Sequence, residues 1–108
     1  MKRINIPLFT IAIALAVIFS LSLSARAQSA VDTFESKCAP CHGADGTGSA
    51  AGKKMGAPDL TAAEVQKMSD ANLMDVIAKG KNKMPAYGQK LKPEEIKGLV
   101  AYIRTLQK

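Results

Sequence analysis

The chain begins with a long, almost continuously apolar run and continues with short segments in which apolar residues recur at helical spacing. The run covers residues 6–24, "IPLFTIAIALAVIFSLSLS". Beyond it, Val31, Phe34 and Cys38 would share one face of a helix, which predicts a short helix over 31–38. No segment beyond the run alternates apolar and polar positions with period two. We therefore expect an all-α fold without a sheet.

The next segment, residues 43–60, carries most of the glycines of the chain, "GADGTGSAAGKKMGAPDL". This composition predicts a long irregular loop. Such loops are uncommon in compact domains unless they serve a function or wrap a ligand. After the loop we expect a short helix over 61–68, with Thr61 as its N-cap and Glu64 at the spacing of a capping box.

Two clearer helices follow. One is predicted over 70–79, with Ser69 as N-cap and Gly80 at its end. A second loop, "KNKMPAYGQKLK" (81–92), separates it from a C-terminal helix that starts with Pro93 in its first turn. Apolar residues recur at intervals of three and four in that last helix: Ile96, Leu99, Val100, Ile103 and Leu106.

The N-terminal run has the layout of a secretory signal peptide. A basic start precedes the apolar stretch, and "ARAQ" supplies an A-x-A site with cleavage after Ala27. We expect residues 1–27 to be the signal peptide and 28–108 the mature domain. The alternative is an uncleaved membrane anchor, because 18 residues, 6–23, approach the ~20 needed to span a bilayer.

Charge and size narrow the function of residues 28–108. The net charge is +6 for the whole chain, and removal of Lys2, Arg3 and Arg26 with no acidic residue leaves +3. The chain has no basic run interleaved with aromatic residues, so we do not expect nucleic-acid binding. Eighty-one residues form a small core, and such domains usually need a disulfide, a metal or another staple. Short helices between long loops suggest a domain wrapped around a large apolar group.

Both cysteines and the single histidine lie in Cys38-Ala39-Pro40-Cys41-His42. A thioredoxin-like redox pair would need a βαβ context, and a zinc site would need four ligands. A plain disulfide would leave the adjacent histidine unexplained. Cys-x-x-Cys-His is the attachment motif of c-type haem, in which each thiol bonds one vinyl group and the histidine binds the iron. We therefore predict one covalent haem c.

The second axial ligand of the iron cannot be histidine, since the chain has only one. Methionine is the remaining soft ligand. Met84 is favoured because Pro85 keeps it out of helical geometry, so that a loop can aim its side chain. Met55, in the glycine-rich loop, is the main competitor. The chain has five methionines in all: Met1, Met55, Met68, Met74 and Met84.

Four segments together resemble a known family. "CAPCHG", "GAPDL", "KMPAYG" and "LVAYIRTL" are similar to the motifs of small bacterial class I c-type cytochromes, the c6-like and c555-like monohaem proteins. The resemblance covers nearly all of residues 30–108. It implies three to five short helices and long loops around one covalently bound haem.

The resemblance also implies roles for individual residues. Phe34 and Tyr102 would lie where the N- and C-terminal helices cross, and Tyr87 would lie either near the haem edge or simply on the surface. The site residues and their implied roles are Cys38 and Cys41 as thioether anchors, His42 and Met84 as axial ligands, Pro58 as carbonyl acceptor for the histidine, and Leu60 as a packing contact with the haem.

These roles imply one-electron transfer and not catalysis, because both axial positions of the iron are filled and no second histidine is present to act as a distal acid or base. We expect a monomeric periplasmic carrier, not stably inserted in the membrane once cleaved, with a protein donor and acceptor such as an oxidase, a reaction centre, a dehydrogenase or another cytochrome. The alternative is a fixed or membrane-anchored haem subunit of a larger oxidoreductase complex. Lysines near the motifs would either steer an acidic partner or merely solvate the surface: Lys37, Lys53, Lys54, Lys79, Lys81 and Lys83.

Overall fold

The computed structural model describes residues 2–108, and Met1, expected to leave with the signal peptide, lies outside them. Within that range the chain contains no strand, only one isolated bridge between Lys81 and Met84. The predicted all-α class is confirmed. The helices are α1 (Leu8–Thr33), a π-helical turn (Phe34–Cys38), α2 (Ala39–His42), α3 (Ala50–Lys54), α4 (Ala63–Gln66), α5 (Asp70–Lys79) and α6 (Pro93–Thr105).

The core forms where the end of α1 and the π-helical turn cross α6. Phe34 and Leu99 are the two largest fully buried side chains. The rings of Phe34 and Tyr102 meet edge to face, with centroids 5.0 Å apart and planes inclined at 64°. Such pairs add stability beyond the area that they bury. The predicted helix crossing at these two aromatic residues is confirmed.

The helix predicted over 31–38 is longer than expected and is interrupted by the π-helical turn. Pro40 has no N–H, and its ring would collide with the carbonyl of residue 36 in a regular α-helix. The helix widens before it, and the N–H of Ala39 reaches back five residues to the carbonyl of Phe34. A π-turn inserts one extra residue into the helix. It therefore resets the directions in which Cys41 and His42 project from α2.

Two details of the predicted elements are wrong. Thr61 does not cap the following helix; its N–H and hydroxyl donate to Asp59 Oδ1 at 2.8 and 2.6 Å, and α4 begins only after Ala62. Asp59 competes for the groups that would have formed the capping box. The glycine-rich loop also contains the short helix α3, which Ser49 caps by accepting from the N–H of Gly52 at 2.9 Å.

The two later helices begin where the sequence places them, and α5 also ends there. The Ser69 hydroxyl accepts from the N–H of Asn72 at 3.1 Å at the start of α5, and Gly80, at φ +75°, ends that helix. Pro93 occupies the first turn of α6.

The apolar part of α1 extends away from the rest of the protein. Its side chains are exposed, and Ala30 is its only buried residue. Continued through Leu8–His42, it is the one helix among residues 2–108 that is long and apolar enough to cross a membrane; an N-terminal signal sequence has the same properties. The structure therefore leaves the signal peptide and the anchor as alternatives.

Candidate haem site

A cavity of about 390 Å³ lies between α2, α5, the glycine-rich loop and the 81–88 loop. Its lining is mostly apolar, and it includes every site residue that the sequence indicates. Those residues come from three separate segments spread over residues 38–84, and they are Cys38, Cys41, His42, Pro58, Leu60 and Met84.

The end of α2 is held in place by the loop that follows it. The last carbonyls of a helix lack partners within the helix. The Cys41 carbonyl accepts from the N–H of Ser49 at 3.0 Å, and the His42 carbonyl accepts from the N–H of Gly48 at 2.6 Å. The Ser49 hydroxyl donates to the Pro40 carbonyl at 2.7 Å. These bonds fix the backbone that carries the second thiol and the imidazole.

The His42 ring is prepared to act as a ligand. Burial lowers the pKa of His42 below its ordinary value, and the carbonyl of Pro58, which faces the ring, opposes this shift only in part. The neutral imidazole is the form that binds a metal. Nδ1 is buried and has no partner within hydrogen-bonding geometry among residues 2–108. A buried ring N–H calls for an acceptor, and the Pro58 carbonyl would supply it after a small shift, which leaves Nε2 as the metal-binding nitrogen.

The two thiols lie beside the ring and are free. Burial raises the pKa of the Cys38 thiol, and the adjacent positive charge of Lys37 opposes this shift. Two free thiols next to an apolar cavity fit addition to the vinyl groups of a haem. The apolar cavity, the two free thiols and the imidazole that line it thus fit a covalently held haem, with Cys38 and Cys41 as anchors.

Met84 is presented by a tight turn. The N–H of Met84 donates to the Lys81 carbonyl at 2.9 Å, and the N–H of Lys81 donates to the Met84 carbonyl at 3.2 Å. Asn82, at φ +54°, occupies the left-handed region that the turn requires, which asparagine tolerates better than most residues. Gly80 allows the turn to fold back, because a Cβ there would lie 2.5 Å from the Met84 carbonyl oxygen.

The rest of the loop is fastened to the end of α5. The N–H groups of Tyr87 and Gly88 donate to the carbonyls of Ile77 and Ala78 at 3.0 and 2.9 Å. These carbonyls belong to the last turn of α5 and would otherwise lack partners. The loop that carries Met84 is therefore fixed relative to a packed helix.

The structure narrows the set of candidate methionines. Met84, Met55 and Met68 line the cavity, whereas Met74 does not. Met55 lies just after α3 and is 42% exposed. Met84 is less exposed than Met55 and lies at the end of the turn closed by its two hydrogen bonds with Lys81, which favours it as the ligand.

Several residues of the site were not predicted from the sequence. Ser49 and Gly52 hold α3 against the Cys41 carbonyl, and a Cβ on Gly52 would overlap that carbonyl. Tyr87, for which two positions were open, lines the cavity, and its hydroxyl donates to the Lys37 carbonyl at 3.2 Å. A serine, a glycine and a loop tyrosine carry no recognisable signal of such contacts in a single sequence.

The lysines divide into two groups. Lys37, Lys81 and Lys83 line the cavity. Lys79 instead pairs with Asp75 at 2.8 Å on the exposed face of α5, and the aliphatic stem of Lys53 lies against Gly48. The positive charge nearest the cavity thus comes from three of the six lysines.

Comparison with known proteins identifies the family. The profile of "Cytochrome C oxidase, cbb3-type, subunit III" matches residues 25–103, well over half of the chain. The chain is 36% identical over 75 residues to cytochrome c6 of Anabaena variabilis, which covers 65% of this chain and 79% of that protein.

Two further relatives are similar. Over 82 residues the chain is 34% identical to the cbb3-type cytochrome c oxidase subunit FixP of Azorhizobium caulinodans; this is 74% of the chain but only 27% of that subunit. Among solved structures, the KustC0563 c-type cytochrome superposes with a TM-score of 0.69 at 35% identity, over 72% of this chain and 96% of that one.

The family match, the relatives and the fold agree with the motifs in the sequence. The cavity and the Cys-x-x-Cys-His segment agree with the cofactor. The chain belongs to the cytochrome c family, as a small class I monohaem c-type cytochrome with covalently bound haem c.

Proposed function

We propose that this cytochrome shuttles single electrons between redox proteins through a haem held by Cys38 and Cys41 and ligated by His42 and Met84. The observation that carries the proposal is that one apolar cavity is lined by all four of these side chains. They come from two segments, the π-helical turn with α2 (34–42) and the 81–84 turn, each held by backbone hydrogen bonds.

The side chains around the cavity suit a carrier better than an enzyme. Haem c, when bound, supplies an iron that takes up and returns one electron. His42 and Met84 would hold the iron from the protein side, so a substrate would have to displace Met84 to reach it. The thioether of Met84 and the apolar lining would favour the ferrous state and raise the potential. Hydrogen bonds hold the end of α2 on one side of the cavity and the 81–88 loop on the other. The protein would therefore rearrange little when the charge of the iron changes.

The pattern of burial supports a domain that is complete without its first 27 residues. Ala30 is the first buried residue of α1, three positions beyond the proposed cleavage site at Ala27. No contact of residues 8–28 is needed to bury the core, because all of these residues are exposed. We propose that residues 28–108 form the mature carrier and that it acts in the periplasm as a monomer.

A second candidate is a haem domain that stays attached to a membrane or to a larger complex. Two observations favour it: the uninterrupted apolar helix α1, and the similarity to FixP, an oxidase subunit of which this chain spans 27%. In this case residues 1–27 would remain, and α1 would continue through the π-helical turn into α2.

Spectroscopy of the exported protein tests the ligation. We expect the reduced protein to be six-coordinate and low-spin, and the oxidised protein to show the weak near-infrared band of sulfur bound to iron. Met84→Ala should abolish this band, and the matched variant Met55→Ala should retain it. A high-spin protein that binds carbon monoxide rapidly would contradict the closed site.

Mass spectrometry of the protein recovered from fractionated cells separates the two candidates. A soluble periplasmic product that begins at Gln28 supports the carrier. An intact N-terminus in the membrane fraction supports the anchored domain.

A further inference from the structure

Tyr87 links the two segments that hold the proposed axial ligands. Its hydroxyl donates a hydrogen bond of 3.2 Å to the backbone carbonyl of Lys37, fifty positions away. Lys37 directly precedes Cys38, and Tyr87 lies three residues after Met84. Among residues 2–108, this is the only hydrogen bond that joins the 81–88 loop to the segment 34–42.

We propose that the Tyr87 hydroxyl is a latch that holds the Met84 turn closed over the cavity and thereby limits how often Met84 leaves the iron. Tyr87 is a positioning residue in this proposal, since it acts through Met84. The inference rests on the proposed function, because it assumes that Met84 is an axial ligand.

The surroundings of Tyr87 fit a latch. The ring is half-buried and lines the cavity, so closing the loop also buries aromatic surface. Its backbone N–H is bonded to Ile77 on α5, which fixes the base of the side chain. Lys90 follows Tyr87 by three residues, and its ammonium lies 5.6 Å from the centre of the tyrosine ring. The hydroxyl thus reaches across to Lys37 from a firmly held backbone.

Among the described residues, the backbone hydrogen bonds of the 81–88 loop lie within it or run to α5 and to residues 90 and 91, and none reaches the segment 34–42. The 81–84 turn consists of two hydrogen bonds between Lys81 and Met84 and contains one residue in the left-handed region, Asn82. Lys81, Asn82 and Lys83 are exposed. Exposed turns with few buried contacts open more readily than packed helices. A tie from Tyr87 to the opposite wall would reduce that opening.

Tyr87→Phe removes the hydroxyl and keeps the ring. Tyr102→Phe is the matched control: it removes a hydroxyl from the other tyrosine, which packs on Phe34 and does not line the cavity. Imidazole, added to the ferric proteins, displaces the methionine only after the loop opens. At saturating imidazole the exchange rate therefore reports loop opening.

Loss of one hydrogen bond should make Tyr87→Phe exchange about three- to tenfold faster than the wild type, with Tyr102→Phe unchanged. Equal exchange rates for the two variants would overturn the latch. Thermal unfolding of both variants separates this effect from general destabilisation, because a merely structural role would lower the midpoint without a selective change in exchange.

Failure of the proposed iron ligation can be told apart from failure of the latch. If Met84→Ala leaves the sulfur-to-iron band of the ferric protein unchanged, the ligand assignment is wrong and the latch falls with it. If that band is lost as expected while Tyr87→Phe exchanges like the control, only the latch is wrong.

Discussion

The carbonyl oxygen of Cys41 lies where a side chain at position 52 would begin. A Cβ on Gly52 would overlap this oxygen and crowd the Cys41 Cα at 2.9 Å. Because both groups belong to backbone, neither can move without shifting α2 or α3. We expect Gly52→Ala to lower the free energy of unfolding by about 1–3 kcal/mol and to reduce the yield of haem-loaded protein, measured by urea unfolding and haem absorbance.

Gly98→Ala is the matched control for that prediction. It also replaces a helical glycine in a contact region, but its Cβ would meet the Cβ of Ala30 at 3.6 Å, an ordinary contact distance. Alanine in a helix interior is favoured over glycine by about 0.5–1 kcal/mol, so we expect equal or greater stability. If both variants were equally destabilised, crowding at Cys41 would not be the cause.

The Met84 turn depends on the left-handed conformation of Asn82, at φ +54°. Asn82→Val places a β-branched residue there and should destabilise the turn by about 1–2 kcal/mol. Asn82→Gly relieves the backbone and should leave the turn intact. The stability of the turn is measured by the temperature at which the sulfur-to-iron band of the ferric protein is lost. A valine variant that keeps this band up to the wild-type temperature would show that the strain is relieved elsewhere.

Arg104 joins α6 to the segment between α4 and α5. Its guanidinium donates to the carbonyls of Gln66 and Met68 at 2.8 and 2.5 Å and to Asp70 Oδ1 at 2.8 Å. Lysine cannot reproduce this fork. Arg104→Lys should lower the free energy of unfolding by about 1.5–3 kcal/mol.

Asp70→Asn separates the ion pair from the carbonyl contacts of Arg104. The Asp70 side chain is 73% exposed, and exposed ion pairs contribute about 0–1 kcal/mol. We therefore expect the asparagine variant to lose less stability than Arg104→Lys in the same urea titration. The opposite order would place the stabilisation in the ion pair.

The sequence was most informative where one local rule acts alone. Ser69 and Gly80 delimit α5, and Pro93 starts α6, because capping and proline geometry depend on neighbours along the chain. The Cys-x-x-Cys-His segment predicted the cofactor for the same reason, since its chemistry lies within five residues.

Predictions were wrong or incomplete where the local structure depends on groups that are distant in the sequence or that compete for the same hydrogen bond. Thr61 satisfies Asp59 instead of capping α4, and α3 forms in a glycine-rich segment because Ser49 caps it and the end of α2 packs on it. The tie between Tyr87 and Lys37 spans fifty positions. No periodicity or motif in a single sequence encodes contacts of this kind.

The lysines beside the cavity should affect reaction with a charged redox reagent. Lys81 and Lys83 line the cavity and are exposed, so replacing both with glutamine removes two positive charges beside the proposed haem site. We expect oxidation of the reduced protein by ferricyanide, an anion, to slow severalfold at low ionic strength and hardly at all in high salt. Lys67→Gln, an exposed lysine that does not line the cavity, is the control. If Lys67→Gln slowed oxidation equally, the net charge of the protein, and not the position of Lys81 and Lys83, would explain the effect.

Acid stability should depend on Asp59. The hydroxyl and N–H of Thr61 hold the pKa of this carboxyl below its ordinary value of about 3.9. Because the pKa is lower in the folded state than in the unfolded state, the hydrogen bonds stabilise the fold above the unfolded pKa, and this stability is lost as the pH falls through the folded pKa.

Thr61→Val removes the hydroxyl, which makes the larger contribution to this shift, and keeps the shape of the side chain. The melting temperature of the variant should therefore fall less steeply than that of the wild type as the pH falls below the unfolded pKa of about 3.9, and the two curves should converge at the acid end. Thr33→Val is the control, because the Thr33 hydroxyl bonds only the Ser29 carbonyl within its own helix. If the wild type and Thr61→Val lost stability in parallel over this range, other carboxyl groups would account for the acid transition.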